Sequence, residues 1–141
     1  MRKLNVRLAA ILLVSVLVLG VGVYFLHAWQ VRTNAGFFRA QAEDDLEAAE
    51  QAEEDGHSPL RDEKYDDAVQ NFAWYLRLRP DDIGALEDLG LLLSDLAQQR
   101  RDRATFARAY ATLEEVLRKE PERREARREL VDLMMLVERW A

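Results

Sequence analysis

Residues 65–80 read YDDAVQNFAWYLRLRP, and residues 106–121 read FARAYATLEEVLRKEP. Set one over the other, the two stretches share their spacing throughout. Tyr65, Ala68, Phe72, Tyr75 and Pro80 fall on Phe106, Ala109, Leu113, Val116 and Pro121. Apolar side chains at steps of three and four residues make one face of an α-helix. Each proline then stops its helix, because it lacks the N–H and clashes with the preceding turn. A second matched pair follows the prolines. Leu86, Leu89, Gly90 and Leu93 fall on Arg127, Leu130, Val131 and Met134.

Working outward, helical periodicity places helices at about 63–79, 83–97, 104–119 and from 123 to the end. Asp81 and Asp82 stand where the second of these needs a cap, and residues 98–102 read as a polar break. Upstream, Phe38, Ala42, Leu46, Ala49 and Ala52 form a narrow stripe of mostly small side chains from about residue 37. That helix ends at Gly56, and residues 57–61, which contain Ser58 and Pro59, read as a loop. Residues 31–36 (VRTNAG) read as a short polar connection. Val, Ile and Thr are scarce beyond residue 30, whereas Ala, Leu, Glu and Arg abound, so the fold class is all-α.

Residues 8–26 (LAAILLVSVLVLGVGVYFL) carry no charge. Their 19 residues would rise roughly 28 Å as a helix, close to the thickness of a bilayer's hydrocarbon core. Arg2, Lys3 and Arg7 precede the run, and Tyr24 and Trp29 lie at its far end. The expectation is a single transmembrane anchor with the N-terminus in the cytoplasm and the rest extracytoplasmic, or periplasmic in a cell with two membranes. A cleaved signal peptide is the rival reading. The expected organisation is a basic tail and anchor over 1–30, a linker over 31–36, and a helical repeat domain over 37–141. The repeats divide at 37–80, 81–121 and an incomplete 122–141.

The matched segments resemble the tetratricopeptide repeat pattern W-x2-L-G-x2-Y…A-x3-F…P, in which two antiparallel helices form each unit. The resemblance covers residues 37–141 and implies a helix-pair solenoid of about five helices behind the anchor. It implies that Ala68, Gly90 and Ala109 let helix backbones approach, while Phe72, Leu86, Leu93 and Leu113 fill the gaps between them. The two prolines stand 41 residues apart, where the family's period is about 34. The excess is assigned to a loop at 98–104, and a similar excess lies near Gly56. The resemblance further implies a groove lined by the first helix of each unit. Glu87, Leu91, Ser94 and Asp95 would face it from the second unit, with Arg128, Asp132 and Met135 from the third.

The formal net charge is -6, which argues against nucleic acid as a partner. Residues 41–70 hold twelve acidic side chains against two basic ones, and residues 98–128 hold ten basic against six acidic. Solvated faces with Glu–Arg pairs account for this. A sharper reading is that the acidic part recruits a basic segment, or docks on the basic arm of another copy. The chain has no cysteine, so disulfides and thiolate chemistry are excluded. His27 and His57 are far apart, and adjacent acids such as Asp66 and Asp67 diverge by about 100° on a helix. No enzyme activity, cofactor or metal site is expected.

Apolar residues cover more than half of the helix over 130–140, whereas a terminal helix should present a polar outer face. The leading expectation is a membrane-anchored scaffold that binds a protein or peptide through its repeats. The alternatives are the front end of a longer envelope protein or enzyme, and a homo-oligomer completed through 130–140.

Overall fold

A computed structural model describes the backbone of residues 6–140 and the side chains of residues 12–26 and 35–136. The described residues are all helical, with no strand among them. Five helices follow in order: α1 (Val6–Glu54), α2 (Ser58–Leu78), α3 (Ile83–Arg100), α4 (Arg103–Lys119) and α5 (Arg124–Trp140). The chain divides into two compact units, Met1–Asn34 and Ala35–Ala141.

In the first unit every described side chain of residues 12–26 is exposed. Among the described residues no helix is long and apolar enough to cross a membrane. This corrects the expected single-pass anchor over 8–26, and the sidedness drawn from it. The flanking charges at Arg2, Lys3 and Arg7, and the side chain of Trp29, lie outside the described residues.

Two further corrections concern helix ends. Residues 31–36 do not form a connection, because α1 runs through them. No proline interrupts the segment, a single glycine costs a helix only about 1 kcal/mol, and Ala35 is buried in a small cluster with Tyr75 and Ala85. Residues 58–61 belong to α2, with Pro59 in the first turn, where its missing N–H costs nothing. Gly56 closes α1 as its spacing requires. Its φ is +74°, and the amides of Gly56 and His57 donate to the carbonyls of Glu53 and Ala52, a left-handed cap that a side chain would strain.

The extra length of the repeat is helical as well. Only Arg101 and Asp102 separate α3 from α4, instead of a loop over 98–104. Gln98, Gln99 and Arg100 are good helix formers, and the turn of helix before them is held by the buried Leu96 and Ala97. Arg101 takes the left-handed conformation at φ 50°. Asp102 then accepts hydrogen bonds from the amides of Ala104 at 3.2 Å and Thr105 at 2.9 Å. Asp82 does the same for α3, accepting from the Ala85 amide at 3.1 Å.

The second unit is repeat-like. Ala68, Phe72, Leu89, Leu93, Ala109, Leu113 and Val116 are buried in one core with Ala42, Ala49, Ala126 and Leu133. Leu86 packs against it, and Tyr75 is buried beside α3. Pro80 and Pro121 lie exposed in the turns. A Cβ built on Gly90 would lie 2.7 Å from Leu113 Cδ2 and 3.0 Å from its Cγ. Leu113 is wholly buried, so it has little room to retreat. Gly90→Ala therefore lowers stability by about 1–3 kcal/mol from overpacking, outweighing the gain in helix propensity. A urea melt that shows equal or greater stability would contradict this close approach.

Candidate functional site

Two groups of acidic side chains stand out in the second unit. The first group ties helices together. Asp45 is buried at the centre of the α1 stripe, with Lys64 Nζ at 3.0 Å and Asn71 Nδ2 at 2.9 Å, both donated from α2. Glu87, on α3, is 7% exposed. Its Oε2 takes a hydrogen bond from Arg123 Nη1 at 2.7 Å, and its Oε1 takes one from the Ala126 amide at 3.2 Å.

Glu87 thereby caps α5. In α3 and α4 the residue before the helix is an aspartate that serves its own N-terminus; in α5 that position is Arg123. A carboxylate borrowed from the neighbouring helix satisfies the free amide instead, favoured by the positive end of the helix dipole. Ser94, fully buried, donates to Glu129 Oε1 at 2.6 Å, and Gln98 Nε2 donates to the same atom at 3.2 Å. Glu87 and Ser94 thus do not face an open groove as the sequence suggests. They hold α3 to α5.

The second group lines a groove of about 350 Å³ between α1 and α3, floored in part by α2. Glu43 and Glu50 come from α1, Asp88 and Asp95 from α3. The apolar lining is Leu46, Leu91, Leu92 and Leu96, with Tyr65 and Phe72 from α2. Of the residues expected to line a groove, Leu91 and Asp95 do so. Arg128, Asp132 and Met135 are exposed on the outer side of α5.

Asp88 and Asp95 are more exposed than Asp45 and Glu87, and Asp88 shares Arg39 with Glu43. Partial burial pushes the Asp88 carboxyl above the ordinary range. Arg39, whose Nη2 lies 3.6 Å away, works against that shift, while Glu87, Asp82 and Glu43 add to it. Partial burial likewise raises Asp95, and the negative charge of Glu129 adds to it. Asp82, by contrast, is held below its ordinary value, chiefly by the Tyr75 hydroxyl that donates to it.

A larger groove of about 630 Å³ runs between α4 and α5. Its Glu115 is already paired, with Arg118 at 3.6 Å and Lys119 at 3.4 Å. Of these two grooves, the α1–α3 one carries more apolar lining and four carboxylates, of which Glu43 and Asp88 share Arg39 as a partner at 3.0 and 3.6 Å. Its acids Glu43, Glu50 and Asp88 are absent from the sequence-based set, as are the tie Asp45 and Arg39, which reaches from α1 to Asp82 at 3.3 Å. One signal for Asp45 was present, since it stands three residues after Ala42 on the buried stripe.

The chain matches no family model, no curated protein and no solved structure. The candidate site therefore rests on its own geometry.

The raised carboxylates set a sign for stability. A group that binds its proton more tightly in the folded chain than in the unfolded chain opposes folding when ionised. Above their raised pKa values Asp88 and Asp95 are ionised, and there Asp88→Asn and Asp95→Asn raise the melting temperature. That advantage shrinks as pH falls through their raised pKa values, where the native carboxyls are neutral too. Thermal melts from pH 7 down to about 4 test this, and asparagine variants less stable than the parent at neutral pH would contradict it. Glu87→Ala has the opposite effect. It removes a hydrogen bond to Arg123 and the cap of α5, costing about 1–3 kcal/mol, with a loss of helical circular dichroism as α5 frays. Unchanged helicity and stability in that variant would refute the borrowed cap.

Proposed function

We propose that the second unit is a tetratricopeptide-type binding scaffold. Its α1–α3 groove takes a protein or peptide segment carrying both basic and apolar side chains. The observation that carries this reading is the pair Asp88 and Asp95. Both stand beside groove leucines, and partial burial raises both carboxyls. Carboxylates in that condition gain most from a cation brought to them from outside. Leu46, Leu91 and Leu92 offer the same segment an apolar seat.

The helix-pair arrangement supports the reading. Ala68 and Ala109 are fully buried at matched positions, as repeat packing requires. Ala85 and Ala126, again 41 residues apart and fully buried, extend the match to the following helices. An array of this kind presents a groove while its core does only structural work.

A synthetic 18-residue amphipathic helix with an arginine stripe beside a leucine stripe is the probe. It binds the full chain, and its glutamate counterpart does not. Raising salt from about 50 to 500 mM weakens binding by tenfold or more, because part of the attraction is screened. Lowering the pH through the raised range of Asp88 and Asp95 weakens it as well, since the groove loses charge. Calorimetry that found no heat for the arginine probe, or equal affinity for both probes, would refute the proposal.

A further inference from the structure

The outward face of α5 has the chemistry that this groove would recognise. Ala126 and Leu133 bury one side of the helix. The opposite side carries Arg124, Arg127 and Arg128 in its first two turns, all exposed. Val131, Met134 and Met135 follow on the same side, 48%, 52% and 53% exposed. At 100° per residue these six positions fall within about 120° of one another.

The repeat shows why this side is bare. Gly90 and Leu93 on α3 are buried against α4. Their counterparts 41 residues on are Val131 and Met134, which have no helix over them among the described residues. Three large apolar side chains side by side are a surface that seeks cover. The three arginines beside them select an acidic site.

Resting on the reading of the groove given above, we propose that the occupant of the α1–α3 groove is α5 of a second copy of this chain. The arginine turns of α5 meet Asp88, Asp95 and the glutamates of α1, and the valine and methionines seat on the groove leucines. The groove and the outward face of α5 share no residue, so one copy can use both at once. The copies therefore join either as a reciprocal pair, with each α5 in the other's groove, or head-to-tail in a chain or ring.

Analytical ultracentrifugation of the full chain tests this, in a mild detergent that covers the exposed apolar residues of the first unit. The wild type forms pairs or larger species that build up with concentration and collapse to single copies in high salt. Two variants remove one surface each: Arg124→Glu/Arg127→Glu/Arg128→Glu and Asp88→Lys/Asp95→Lys. Each alone sediments as a single copy. Mixed in equal amounts they form a complex of one copy of each and nothing larger, since the first retains a groove and the second retains an α5 face. Circular dichroism checks folding, and Asp88→Asn/Asp95→Asn with Arg124→Gln/Arg128→Gln replaces any variant that fails to fold.

A wild type that stays single overturns the inference. So does a groove variant that still self-associates, which would mean that two α5 faces meet each other. A mixture that gives no complex overturns it too. If the arginine-stripe probe binds the groove while the wild type stays single, the groove reading stands and only the choice of occupant falls.

Discussion

The approach of α3 to α4 at Gly90 is the constraint on which the second unit depends. Leu113 occupies the space that a Cβ on residue 90 would need. It lies in the same core as Leu93, Val116 and Phe72. Small residues recur wherever a helix meets its neighbours: Ala42 and Ala49 on α1, Ala68 on α2, Ala109 on α4, Ala126 on α5. Burial of a small residue contributes little by itself. Its value is that it brings two backbones close enough for the large side chains on either side to interlock at interior density.

Around that core the charges do two kinds of work. Asp45 and Glu87 are buried and partnered, and they fix α2 on α1 and α5 on α3. Their worth lies in register, because breaking either pair strands a charge away from water. Asp88 and Asp95 sit beside the α1–α3 groove with less compensation. The contrast between these two sets, on helices of one unit, is what supports the proposal that the groove takes a cation from outside. The face of α5 supplies such cations beside uncovered apolar side chains.

Much of this was legible in the sequence. The proline spacing and the matched 3–4 periodicity located α2 and α4. The small residues Ala68, Gly90 and Ala109 marked the close approaches, and Asp82 and Gly56 marked helix ends. The failures share a cause. Polar runs such as VRTNAG at 31–36 and QQR at 98–100 look like breaks, yet they contain nothing that forbids a helix, and packing decided the matter. Register alone points Glu87 and Ser94 at an open groove, because it gives only a direction along the wheel. It does not reveal that α5 lacks a capping aspartate of its own and borrows the Glu87 carboxylate. The apolar run near the N-terminus suggested a membrane span on composition. Among the described residues no helix is long and apolar enough to cross one.

The measurement that tests the central claim most directly is a nuclear Overhauser spectrum of methyl-labelled protein. The account predicts strong cross-peaks from the Gly90 α-protons to the Leu113 δ-methyls, and from the Val116 methyls into the same core. Absence of the Gly90–Leu113 cross-peaks in an otherwise well-dispersed spectrum would contradict it, because α3 and α4 could not then meet where the rest of the fold requires.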